Sequence, residues 1–240
     1  MTAETESNDV HIWTVELDDA DWDAFSSVLA PDEIDRADRF RRPHLRHRYR
    51  RCRIALRRLL GQISNEDPVN IALRYGPFGK PEMDGKWQFN LSHSEDKALI
   101  AISPHVVGID LEFTNRPGMD VAALAEVVCH PNEIAALALL PADEKAALFY
   151  RWWTQKEAYC KARGTGLDDA LGSLRCQPIP GTSVSLVLDA ANAATQSYFA
   201  HELVCFPSYA ASICLPLEKA ALGMSAAQPA FFSEKLVPAK

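Results

Sequence analysis

Apolar and polar positions alternate first near the N-terminus, where Trp13, Val15 and Leu17 interleave with His11, Thr14 and Glu16, the period of a half-buried strand. The period then lengthens. Short helices are predicted over residues 21–29 and 32–39. A longer one opens at Pro43, where Leu45, Tyr49, Cys52, Leu56 and Leu59 keep helical spacing and Gly61 is the expected stop. Apolar runs at 69–75, 87–92, 98–103 and 106–112 predict strands, with a turn-rich loop, Tyr75-Gly76-Pro77-Phe78-Gly79-Lys80-Pro81, between the first two. After Arg116-Pro117-Gly118 the pattern is helical again, over 120–128, 132–139 and 143–163, the last ending at Gly164. Strand-like runs return at 182–188, 197–204 and 208–215. Because helices and strands do not alternate strictly as βαβ units, the pattern predicts an α+β fold. The Ala/Pro-rich stretch 223–240 reads as an arm anchored by Phe231 and Phe232.

Composition narrows the class. With 240 residues, 48% hydrophobic and 24% charged, the chain can bury a sizeable core, which excludes wholesale disorder. No apolar run approaches 18 residues, and the first nine residues are acidic and polar, so neither a membrane span nor a signal peptide is expected and the cytoplasm is the expected location. The six cysteines form no CxxC pair and are read as reduced, mostly buried thiols. The net charge of −7 hides an asymmetry: residues 36–58 hold eleven arginines against one acid, Asp38, while the rest of the chain carries −17. That block suits an anion, whether a polyanionic small molecule or an acidic partner. A solvated helix face is the plain alternative, and nucleic acid the third. Against nucleic acid stand the acidic remainder and the lack of aromatic residues interleaved with the arginines.

Three short segments carry candidate chemistry. In Val107-Gly108-Ile109-Asp110-Leu111-Glu112 the two acids share one face of a strand, behind a glycine that admits a close neighbour; the pair is either a hard-cation site or two solvated strand-end acids. In the segment 149–161, Trp153, Glu157 and Lys161 follow each other at i, i+4 and i+8 on a helix too aromatic to be solvent-exposed. If that helix crosses the Asp110 strand, Glu157 becomes a third oxygen ligand, and Mg²⁺ suits such a set; an ordinary Glu–Lys pair is the alternative. In Phe89-Asn90-Leu91-Ser92-His93-Ser94 the serine and histidine point to opposite faces and no GxSxG elbow exists, which argues against a hydrolase dyad and for donors to an anion or a structural histidine.

Taken together, FNLSHS (89–94), VGIDLE (107–112) and WTQKEAYCK (153–161), with Gly79-Lys80-Pro81 ahead of them, resemble the 4′-phosphopantetheinyl transferases, in particular the larger two-lobed class that activates peptide and polyketide synthetases. The resemblance covers residues 36–166. It implies transfer of the phosphopantetheine arm of coenzyme A to a serine of an apo acyl or peptidyl carrier protein, with release of 3′,5′-ADP. By motif, Asp110, Glu112 and Glu157 would hold Mg²⁺, and Lys161 would lie near the same phosphates. Lys80 and His93 would contact the coenzyme's phosphates, Arg48 the 3′-phosphate, and Ser92 would add a hydrogen bond. The base that takes the serine proton is left open between Glu157, Glu133 and a metal-bound water. The resemblance further implies a monomer built as a pseudo-dimer of two similar α+β lobes, 1–112 and 113–222, with a tail 223–240, coenzyme A in the cleft, and carrier docking near 113–128 through Leu124, Val127 and Val128. A Mg²⁺-dependent phosphohydrolase and a nucleic-acid-binding module are the rival functions.

Overall fold

The computed structural model describes residues 10–166, 171–191, 197–217 and 232–236. The first half contains β1 (His11–Glu16), a 3₁₀ segment (Ala20–Val28), α1 (Pro31–Asp38), α2 (Pro43–Ser64), the two-residue strands β2 (Arg74–Tyr75) and β3 (Pro81–Glu82), then β4 (Gln88–Ser94) and β5 (Lys97–Ser103). The second contains β6 (Gly108–Phe113), α3 (Val121–Val128), α4 (Pro131–Ala138), α5 (Ala142–Arg163), and strands β7 (Arg175–Pro178), β8 (Val184–Leu188), β9 (Tyr198–Leu203) and β10 (Tyr209–Pro216); β11 (Phe232–Leu236) follows. The fold is mixed α and β. One sheet has the order β11-β1-β5-β4, a second β6-β10-β9-β8-β7, and β2 pairs with β3 in a small third; among the described residues the β1–β11 pair alone is parallel.

The period-two alternation of β5 explains how the sheets stack. Ala98, Ile100 and Ile102 join Cys52, Leu56 and Leu59 of α2 in one core, whereas Leu99 and Ala101 meet Ile109, Leu111 and Ile213 of the other sheet. The opposite face of the second sheet carries α5, with Phe149, Tyr159 and Ala162 packed among Cys176, Val187 and Cys214. Helix, sheet, sheet and helix thus lie in sequence, and the acidic strand β6 is buried between β4 and α5.

The structure departs from the sequence expectations at several elements. Gly61 does not stop α2; the helix runs on to Ser64, and Asn65 (φ 58°) ends it. A Cβ on Gly61 would stand 2.7 Å from the Glu66 carbonyl, so the glycine serves the returning chain. The strand expected at 69–75 shrinks to β2: the Ile71 carbonyl is taken by Arg57 Nη1 at 2.9 Å, as is that of Pro68 just before the segment at 3.2 Å. β7 escaped the hydrophobic reading because it is a polar edge strand, whose Cys176 N–H is bound by the Glu133 carboxylate. β6 hydrogen-bonds to β10, so a division after residue 112 cuts the second sheet's edge strand away from its partner. Phe231 lies outside the described residues, while Phe232 opens β11, in register with His11. All six cysteines are unpaired and five are buried.

The arginine block is not one solvated face. Glu33, 1% exposed, accepts from both Arg53 (2.7 Å) and Arg57 (2.5 Å), and Arg51 donates twice to Asp23. Arg58 lies 3.9 Å above the Phe25 ring. Much of the positive charge is neutralised internally because α2 packs one flank against α1 and the 3₁₀ segment, which bring these acids and rings to it.

Candidate active site

Glycine 108 sets the distance between the acidic strand and the long helix. A Cβ there would fall 2.0 Å from the Ala158 carbonyl oxygen and 2.4 Å from the Ala162 nitrogen, so only glycine admits α5 this close. The close neighbour foreseen behind this glycine is therefore the helix backbone. Beside Ala158 on α5, Glu157 then faces Asp110 and Glu112, and oxygens of the three carboxylates lie within 4.8 Å of one another.

β4 holds the acidic strand from its other side. Asn90, Ser92 and Ser94 share one face of β4 and reach β6 with side chains instead of a backbone ladder. The Ile109 N–H donates to Asn90 Oδ1 (2.8 Å), Ser92 Oγ donates to Asp110 Oδ1 (2.8 Å), and Ser94 Oγ donates to Glu112 Oε2 (3.1 Å) while accepting from the Phe113 N–H (3.0 Å). Lys161 Nζ donates to Asp110 Oδ1 (2.6 Å) and Ser92 Oγ (3.0 Å) and lies 3.8 Å from Glu157 Oε2. Arg116 donates to Glu112 Oε2 (2.6 Å), and Trp153 Nε1 to Glu157 Oε1 (2.5 Å).

Two cations against three carboxylates leave an excess of negative charge when all are ionised, and the pKa values respond. Burial, then the Asp110 carboxylate, pushes Glu157 up to about 7 against the opposing pull of Lys161. Burial and Asp110 also raise Glu112. Burial works to lower Lys161, but Asp110 and Glu157 outweigh it and its pKa is raised. Asp110 Oδ2 is buried with no hydrogen-bond partner among the described residues. An all-oxygen set, an unsatisfied buried carboxylate oxygen and mutual repulsion together fit a hard divalent cation.

Beside the cluster opens a cavity of about 460 Å³ between α2, β4 and the end of α5. Its polar wall includes Arg36, Arg53, Lys80, His93 and Lys161, its aromatic wall Tyr49, Tyr75 and Phe78. Arg36 lies 5.8 Å from the Tyr49 ring centroid, and Arg53 donates to the Tyr75 hydroxyl at 2.6 Å. Lys80 Nζ donates to the last carbonyls of α5, Lys161 O (2.8 Å) and Ala162 O (3.3 Å), which ties the turn-rich loop to the helix C-terminus.

The expected site residues thus divide. Asp110, Glu112, Glu157, Lys161 and Ser92 are brought together, with His93 and Lys80 on the adjoining cavity. Arg48 is not on that wall; its guanidinium binds Asp18 through Nε and Nη2, both at 2.8 Å, and Glu95 at 3.4 Å. Glu133 is not in the cluster either. It caps α4 through the His130 N–H (2.9 Å), accepts from the Cys176 N–H and pairs with Lys156 (2.6 Å), so both oxygens are spent on the core. Of the three apolar residues expected at a docking surface, Val128 and Leu124 pack against the core around α5 and Val127 is exposed. Sequence reasoning missed Arg36, Arg53, Asn90, Ser94 and Arg116. The i, i+2, i+4 spacing of Asn90, Ser92 and Ser94 was the available signal for the β4 seam.

Residues 106–214 match the family model described as the 4′-phosphopantetheinyl transferase superfamily. Among curated proteins, the chain is 37% identical over 169 residues to the 4′-phosphopantetheinyl transferase HetI of Nostoc sp., covering 67% of this chain and 71% of that protein. It is 26% identical over 166 residues to the 4′-phosphopantetheinyl transferase Sfp of Bacillus subtilis, covering 68% and 73%. The transferase gsp of Aneurinibacillus migulanus is 37% identical over 114 residues, 48% and 47% of the two chains. Among the described residues, no helix is long and apolar enough to cross a membrane.

Proposed function

The chain belongs to the 4′-phosphopantetheinyl transferase superfamily, and from that premise we propose that it moves the phosphopantetheine arm of coenzyme A to a carrier-protein serine in a Mg²⁺-dependent reaction at the Asp110–Glu112–Glu157 cluster. The observation that carries this reading is the meeting of three carboxylates and an unsatisfied Asp110 oxygen beside a cavity lined with cations. Asp110, Glu112 and Glu157 would hold the cation. When bound, it supplies charge neutralisation at the coenzyme's pyrophosphate.

The remaining work falls to the chain's own groups. Lys161, fixed by Asp110 and Ser92, offers its ammonium at the boundary between cluster and cavity, where the pyrophosphate would lie. Arg36, Lys80 and His93 supply further positive or donor groups along the cavity for the ribose 3′-phosphate and the bridging phosphates. Tyr49, Tyr75 and Phe78 offer ring faces to the nucleobase. The serine oxygen forms its bond to the pantetheine-side phosphorus as the bond to the nucleotide oxygen breaks, and 3′,5′-ADP leaves. Of the two acids considered for the serine proton, Glu133 is spent on Lys156 and the Cys176 N–H, which leaves Glu157 at the edge of the cavity. The sheet stacking and the cavity between α2 and α5 support two lobes with coenzyme A between them in one monomer, and the exposed Val127 edge of α3 supports carrier docking on the second.

The test is intact-mass measurement of apo acyl and peptidyl carriers incubated with the protein, coenzyme A and Mg²⁺. One added phosphopantetheine, lost with a chelator and restored by Mg²⁺, is expected. Cleavage of coenzyme A without any acceptor, or no adduct on any carrier, refutes the reading.

A further inference from the structure

Arg116 stands on the flank of the cluster away from the cavity and has no part in the chemistry above. It emerges from the loop after β6 and reaches back, placing Nη2 2.6 Å from Glu112 Oε2 and 2.8 Å from Ser94 Oγ. The same Glu112 oxygen accepts from Ser94, so one carboxylate oxygen, one hydroxyl and one guanidinium form a closed set at the β4–β6 seam. Its Nε is buried without a hydrogen-bond partner among the described residues. Of the three clustered acids, Glu112 is the one whose oxygen is occupied by an arginine, while Asp110 Oδ2 faces no donor among the described residues. A guanidinium is a fixed unit charge with directed donors, able to align a carboxylate as a cation does.

Resting on the cation reading above, we propose that Arg116 is a positioning residue that stands in for the divalent cation at Glu112, holding that carboxylate in the cluster and competing with the metal for it. Two opposing consequences separate this role from simple support of the fold. If Arg116 only braced the loop, its loss would let Glu112 drift and weaken cation binding. If it competes, its loss frees a ligand and removes a like charge beside the site, and binding tightens.

The deciding measurement is Mn²⁺ binding to the full chain without coenzyme A or carrier, read as free Mn²⁺ by electron paramagnetic resonance. Arg116→Met, which keeps the side-chain length and removes the charge, is expected to bind about tenfold more tightly than the unaltered chain, the scale of one charge-assisted hydrogen bond. Arg116→Lys and Ser94→Ala, which keep a cation beside Glu112, are expected to stay within about twofold. Arg116→Gln gives the same charge loss should the methionine variant fold poorly. Unchanged or weaker binding in both neutral variants, or equal tightening in Ser94→Ala, overturns the inference while leaving the cation reading intact. If neither the unaltered chain nor the neutral variants take up Mn²⁺, both fall.

Discussion

Replacing Gly108 by alanine tests whether the helix–strand distance governs the site. The new Cβ would sit 2.0 Å from the Ala158 carbonyl oxygen, 2.4 Å from the Ala162 nitrogen and 2.9 Å from the Ala162 Cα, all backbone atoms of α5 that no rotamer change can move. Ordinary contact begins near 3.4 Å, so α5 and β6 must separate by about 1.4 Å. Overpacking of this kind costs about 3 kcal/mol, the upper end of the usual range because the obstacle is backbone. For a chain of this size that lowers the thermal midpoint by about 6–12 °C. The same displacement carries Glu157 and Lys161 away from Asp110, and a misplacement of about 1 Å at a reacting centre costs about a hundredfold in rate. The assay pairs thermal unfolding with the initial rate of carrier modification at saturating coenzyme A. Gly76→Ala is the control, since its Cβ would find only ordinary contacts, 3.5 Å to a Glu82 side-chain oxygen and 3.7 Å to the Lys80 carbonyl. A Gly108→Ala protein with unaltered midpoint and rate refutes the claim that this glycine positions the cluster.

Burial holds His201 near a pKa of about 4, below its ordinary value, so the unfolded chain binds the extra proton first. The stability this confers is present above about pH 6.5 and is lost as pH falls toward 4, an effect of roughly 3 kcal/mol that His201→Gln should remove from denaturation midpoints measured across that window. Lys156→Met leaves Glu133 buried without its ammonium and should cost about 3–5 kcal/mol in urea unfolding; adding Glu133→Gln should recover part of the loss, and a strictly additive double variant would refute the coupling. Arg36→Ala should raise the KM for coenzyme A by about tenfold, whereas Arg48→Ala, whose guanidinium already serves Asp18 and Glu95, should change it by less than about twofold. The reverse order in a steady-state titration would return Arg48 to the phosphate.

Legibility followed the range of the interactions. The acids of β6, the Glu157–Lys161 spacing and the α5 boundary at Gly164 were readable because strand and helix periods are local properties of the backbone. The 69–75 segment failed because an arginine of α2 claimed its Ile71 carbonyl, and β7 failed because a carboxylate from α4 paired its edge. The motif types for Lys80 and His93 were visible, yet the bond from Lys80 to the end of α5 joins residues some eighty positions apart.

The amino-acid order by itself determined which residues carry oxygen ligands, which face of each element they occupy, and the family those spacings mark. The tertiary structure alone decided which acids meet: it drew Glu157 to Asp110 through the missing side chain at Gly108, and spent Glu133 on Lys156 in the core. It also divided the arginines between internal acids and the cavity. The physical reason is that charge pairing depends on separation in space, and sequence periodicity fixes direction along an element but not which partner the packing brings across from it.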